Sequence, residues 1–162
     1  GSNLLSRALH RICYLARKVQ GSHKFNYELM KQLNGDKQMT DVWQLPAIGR
    51  WEKSCGKHPT QKPLGVLARL IQASTQSGAW ILDPFNGSGT TGIAANLLGR
   101  RYLGLEMEDE FLSMSKARRE EIENGAVRSD YLERLAKAKI ILPPDNFFVS
   151  DDADCYYGVP WI

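Results

Sequence analysis

The 162-residue sequence has no apolar run long enough to cross a membrane, and no basic start followed by an apolar centre leads it, so the expectation is a cytoplasmic protein. Cysteine is scarce. Cys13, Cys55 and Cys155 are odd in number and far apart, which argues against a disulfide framework and suits a reducing compartment. A metal-ligand set is missing too. Cys55 and His58 have a CxxH spacing, but two ligands do not make a tetrahedral site, and His10 and His23 fall among helical positions, so no metal is expected. No Ser/His/Asp or Cys/His grouping adds up to a nucleophile. Repeats and low-complexity tracts are also wanting, which leaves an ordinary globular composition with room for one core.

Charge is nearly balanced overall, at +3, but unevenly placed. Residues 1–62 carry 11 Lys/Arg against 4 Asp/Glu, and residues 63–162 carry 10 against 14. A basic front followed by an acidic remainder suits a phosphate-facing region ahead of a ligand-binding lobe, and it suits a solvated basic surface nearly as well. Lys24, Lys31 and Lys37 are the candidate nucleic-acid contacts.

The chain is organised around residues 79–106. Ala79, Trp80, Ile81 and Leu82 read as a buried strand ending at Asp83, and Gly87 and Gly89 bracket a turn that opens an apolar-periodic helix. Glycines in such a turn let the backbone approach a ligand, and the helix start presents unpaired N–H groups. Arg101 to Leu105 reads as a second strand and ends at Glu106. A carboxylate about twenty positions beyond the loop is how open α/β sheets hold the ribose of an adenosine-containing ligand. Two carboxylates at strand ends therefore point to a nucleoside-type cofactor. NAD is a weaker fit, because the loop does not spell GxGxxG in register, and ATP weaker still, because GSGTT has no Lys before its Thr pair.

Elsewhere, Leu4 to Val19 has helical spacing, although Cys13 to Ala16 also reads as a strand. Phe25 to Leu33 is helical and ends at Asn34 and Gly35, and residues 37–57 hold no period. Leu64 to Ala73 is a helix with Leu67, Leu70, Ile71 and Ser74 on its apolar side. Glu108 to Glu123 reads as a surface helix, acidic early and basic late at Lys116, Arg118 and Arg119, as the helix dipole favours. Asn124 and Gly125 end it, Ser129 to Lys139 reads as one more helix, and Pro143 and Pro144 stop that one. The aromatic and acidic residues 145–162 carry no assignment.

Three motifs taken together resemble a known family. KHPTQKP at Lys57 to Pro63, DPFNGSGTTG at Asp83 to Gly92 and RRYLGLE ending at Glu106 are similar, in order and spacing, to the S-adenosylmethionine-dependent amino-methyltransferases of DNA, in particular the beta group. The likeness covers roughly residues 13–123, and Phe25 to Trp43 resembles adenine-N6 members. It implies a Rossmann-like α/β fold, a parallel sheet with helices on both faces, truncated. It divides the chain into a trailing, basic part of a target-recognition region (1–50), a cofactor-binding core (51–124) and a C-terminal helix with an irregular tail (125–162).

By the same resemblance, Asp83 and the loop of Phe85, Asn86, Gly87, Ser88 and Gly89, with Thr90 beside it, surround the methionine part of S-adenosylmethionine. Glu106 accepts from the ribose hydroxyls and Met107 flanks the adenine. His58, Pro59 and Thr60 close over the methionine end, with Lys57 or Lys62 near its carboxylate. The implied partner is double-stranded DNA, methylated as in restriction–modification on an adenine flipped from the duplex. The family's catalytic tetrapeptide, Asp/Asn/Ser-Pro-Pro-aromatic, is not in this sequence: the one Pro-Pro pair lies in Leu142 to Asp145, where Leu142 cannot accept and Asp145 cannot stack. No catalytic residue is therefore assigned. The expectation is a cofactor-binding half, inactive alone, whose catalytic half is missing upstream or sits on a partner chain; a homodimer and N4-cytosine specificity stay open. The rival from another class is a nicotinamide dehydrogenase, which predicts NAD binding.

Overall fold

A computed structural model describes residues 24–143, and readings that fall on 1–23 or 144–162 lie outside the described residues. The elements run α1 (Tyr27–Leu33), a 3-10 turn (Arg50–Lys53), α2 (Leu64–Ser74), β1 (Trp80–Asp83), α3 (Thr90–Leu97), β2 (Arg101–Gly104), α4 (Asp109–Glu121) and α5 (Gly125–Lys137). β1 and β2 pair in parallel, Trp80 opposite Arg101 and Asp83 opposite Gly104, with α3 as the crossover between them. The two strand ends that carry the carboxylates are thus neighbours by register. The pairing runs on past the strands, since the Leu105 amide donates to the Asp83 carbonyl and the Asn86 amide to the Leu105 carbonyl, both at 2.9 Å. No helix among the described residues is long and apolar enough to cross a membrane.

The core lies between α2 and α3, on the inner face of the sheet. Leu64, Ala68 and Ile71 of α2 meet Ile93, Ala94, Ala95 and Leu97 of α3, and Ile122, Tyr131, Leu135, Ile140 and Ile141 close the cluster from the C-terminal side. Alanines at the helix contact let the backbones approach closely while bulkier side chains fill the space around them. A second cluster of Met30, Leu33 and Ala73 holds α1 on the end of α2, where Asn26 bonds the Gln72 and Thr75 carbonyls through its side-chain amide and the Ala73 carbonyl through its backbone N–H.

Four expectations need correction. Only alternate residues of β1 turn inward. Ile81 and Tyr102 pack on the helices, whereas Trp80 and Leu82 are 57% and 63% exposed, so among the described residues helices cover one face of the sheet and not both. The α2 stripe is rotated: Leu64, Ala68, Ile71 and Gln72 are buried, Ser74 is exposed, and the Gln72 amide is satisfied by the Ile140 carbonyl at 2.8 Å. α4 is more than a surface helix, because Met114, Ser115 and Arg118 are buried along it. α5 begins at Gly125, since Asn124, three residues past the end of α4 at Glu121, caps the next helix by accepting from the amides of Ala126 and Val127.

Leu64 has no exposed surface and lies in the main core cluster. Leu64→Ala is expected to lower stability by about 2–5 kcal/mol, read from urea unfolding of the chain.

Candidate functional site

Asp83 and Glu106 grip one loop from two sides. The Asp83 carboxylate accepts from the Phe85 amide at 3.0 Å with one oxygen and from the Thr91 hydroxyl at 2.6 Å with the other, which ties the end of β1 to the first turn of α3. The Glu106 carboxylate accepts from the Gly87 amide at 2.6 Å with Oε2, and from the amides of Met107 and Glu108 at 2.9 and 3.0 Å with Oε1. These amides, first that of Glu108, hold the Glu106 carboxyl below its ordinary value against the opposing effect of burial. Each carboxylate oxygen has two lone pairs; Glu106 Oε1 uses both on the amides of Met107 and Glu108, so the acceptor capacity left for hydroxyl or ammonium donors is on Glu106 Oε2 and on the two Asp83 oxygens, each of which accepts one bond.

The loop between them is wound by its glycines. Gly87 and Gly89 have φ of +51° and +74°. A Cβ on Gly89 would come within 2.7 Å of the Ser115 Cβ and 3.2 Å of its Cα, so α4 passes directly beneath the turn and only glycine fits. Tyr102 donates to the Asn86 side chain at 2.8 Å and steadies the loop from β2. Burial, then the Asp83 charge, push the Tyr102 phenol far above its usual range, so it stays a donor.

The KHPTQKP turn reaches the same place. The His58 ring lies 4.2 Å from the Phe111 ring of α4, and its Nε2 stands 3.2 Å from where a Gly87 Cβ would be. The Thr60 amide donates to His58 Nδ1 at 3.2 Å, which puts the proton of the neutral ring on Nε2. Lys62 bonds the Thr60 carbonyl at 2.9 Å. The anchor of the turn is Glu52, a buried carboxylate whose oxygens accept from the Gly49 amide at 3.1 Å and the Leu64 amide at 2.7 Å, while its own carbonyl takes the Gln61 side chain at 2.8 Å. Burial raises its pKa against those bonds.

The structure therefore brings together His58, Asp83, Gly87 and Glu106, with Phe85 and Met107 standing free at the rim; Met107 is 95% exposed. Asn86, Ser88 and Thr90 are buried and serve the loop's inner side. Pro59 and Thr60 are exposed. Lys24 and Lys37 are exposed outside this cluster, and Lys31 is turned to Glu28 at 3.8 Å and to the Tyr27 ring. Glu52, Tyr102, Phe111 and Arg118 were not anticipated; a buried acid or arginine gives no local signal, and Phe111 only that of its spacing on α4. Cys55 is held by Glu121, and its thiol is pushed up chiefly by burial. Among the described residues no cluster of three or more His, Cys, Asp or Glu could hold a metal.

A family model described as DNA methylase matches residues 7–117. The chain is 58% identical over 115 residues to the type II methyltransferase M2.MboI of Moraxella bovis, covering 71% of this chain and 42% of that protein. It is 54% identical over 98 residues to M2.DpnII of Streptococcus pneumoniae, covering 60% and 37%. Of solved structures, the crystal structure of an M1.HpyAVI–SAM complex is similar with a TM-score of 0.48 at 33% identity, over 61% of this chain and 45% of that one. The chain spans about two fifths of the length of the curated relatives it matches.

Glu106 gives a signed pH dependence. Its folded pKa lies below the unfolded value near 4.5, so its contribution is complete above that value and is lost as pH falls through the folded one. Thermal unfolding between pH 3 and 6 is expected to show the wild type losing its advantage over Glu106→Gln toward the acid end.

Proposed function

The chain belongs to the DNA methylase family, and on that premise we propose that the whole protein transfers a methyl group from S-adenosylmethionine to the N6 amine of adenine in double-stranded DNA, in the cytoplasm, with this chain supplying the grip on the cofactor. The observation that carries the reading is the pair of carboxylates at adjacent parallel strand ends, both bonded to one glycine loop. A ligand with hydroxyls and an ammonium needs acceptors, and Glu106 and Asp83 keep lone pairs for them on the open side. When bound, the cofactor supplies an electrophilic methyl on a sulfonium centre.

The chain's own residues then act as a seat. Glu106 takes the ribose hydroxyls, Asp83 and the outer side of the loop, with Phe85 at its rim, take the methionine part, and Met107 flanks the adenine. His58, braced on Phe111, closes the loop from above and limits water at Gly87. Lys62 stands beside Thr60, where it can meet a carboxylate. The sequence holds no Pro-Pro-aromatic tetrapeptide to receive a flipped base, which favours a second reading alongside the first: this chain as the cofactor-binding part of a split enzyme, inactive until the catalytic motif is supplied by another segment or chain.

Calorimetric titration of the chain tests the seat. Binding of S-adenosylmethionine with no binding of NAD is expected, and Glu106→Ala should weaken it at least tenfold, as expected for lost charge-assisted hydrogen bonds of about 1.5–3 kcal/mol. NAD binding in place of S-adenosylmethionine would reverse the assignment.

A further inference from the structure

Arg118 is the largest fully buried side chain among the described residues, at 2% exposure, and it makes no ion pair with any of them. Its Nη1 donates to the Ser88 carbonyl at 2.7 Å and to the Thr90 hydroxyl at 3.0 Å, while Nε and Nη2 have no partner among the described residues. A cation buried without a paired carboxylate is costly, and a hydrophobic side chain of similar volume commonly packs there at lower cost. Packing alone therefore does not call for the charge. Burial pulls the Arg118 pKa down, with Tyr131, Glu52, Cys55 and Glu121 acting in the opposite direction.

What the charge accomplishes is local to the glycine loop. The peptide unit between Ser88 and Gly89 is held at both ends, its carbonyl by Arg118 and its N–H by the Asn86 carbonyl at 2.9 Å. The Thr90 hydroxyl, accepting from Arg118, lies 3.2 Å from the Ser88 hydroxyl and can donate to it. Ser115, one turn before Arg118 on α4, lies against Gly89 at the distance that leaves no room for a Cβ.

We propose that Arg118 is a positioning residue for the cofactor seat: from beneath, its guanidinium draws the Ser88 carbonyl and the Thr90 hydroxyl inward and so fixes the turn whose outer side, with Gly87 and Glu106, faces the ligand. The inference rests on the reading of this loop as the seat of S-adenosylmethionine. It adds a residue that touches the ligand nowhere and acts through Ser88 and Thr90.

The test uses the 162-residue chain as wild type, Arg118→Met, Arg118→Lys and Thr90→Val, with three readouts: melting temperature, amide hydrogen exchange by residue, and affinity for S-adenosylmethionine. Arg118→Met is expected to stay folded, to speed exchange at Gly89 about tenfold or more while α5 amides keep their rates, and to weaken the cofactor by a similar factor, the scale of a lost hydrogen bond to a charged group. Arg118→Lys should recover part of both effects, and Thr90→Val should lose part of both. Wild-type exchange at Gly89 in a folded Arg118→Met variant overturns the proposal, as does a uniform acceleration across all amides, the mark of a purely structural arginine. If Arg118→Met does not fold, the Lys and Val variants decide by the same two patterns. If the wild type binds no S-adenosylmethionine, the function assignment fails separately, and exchange at Gly89 still decides the role of Arg118.

Discussion

The bond between the Glu106 carboxylate and the Gly87 amide, 2.6 Å long, ties the end of one strand to the loop that leaves the other. Everything at the site depends on that closure. A parallel pair of two four-residue strands is a minimal sheet, and its own ladder cannot dictate the path of the six residues that follow Asp83. The path is fixed because an acid beyond β2 reaches back to it and an acid at the end of β1 holds its beginning and the first turn of α3. The same two side chains thus hold both ends of the loop in the fold and are the acceptors of the proposed cofactor seat.

α4 is the post on which this arrangement stands. At helical intervals along one side, Phe111 meets His58, Met114 meets Gly56, Ser115 meets Gly89 and Arg118 meets Ser88 and Thr90. One turn further, Glu121 accepts from Ser54 and Tyr131 at 2.8 and 3.3 Å. Two loops far apart in sequence are brought into mutual register by contact with the same helix, which starts three residues after Glu106. A shift of α4 would move the histidine turn and the glycine loop together.

Much of this was legible in the sequence. The strand, loop, helix and strand of residues 80–104 follow from apolar runs broken by glycines, because those signals are local, and the placement of Asp83 and Glu106 follows from where each strand runs out of β-forming residues. The helices α1 and α2 appear within a residue or two of their expected bounds. What was hidden depends on distance in the chain. Arg118 reads as a last-turn cation until its partners 28 and 30 residues earlier are known. Glu52 sits in a stretch without period, and its bond to Leu64 crosses twelve positions. Asn124 is the cap of α5, so reading it as the terminator of the preceding helix delays the start of α5. The inward and outward alternation of β1 was masked because both of its faces carry large apolar side chains.

Glu52 has one more consequence. Both of its oxygens are taken by amides fifteen residues apart, at Gly49 and Leu64, so a single carboxylate stitches shut the neck of the excursion that carries His58. Loop closure is paid at the base, and lengthening the excursion adds little further entropic cost. The crown of the loop is thereby free to vary in composition without losing its address on the molecule, the kind of arrangement in which new contacts to a substrate can be tried while the frame stays still.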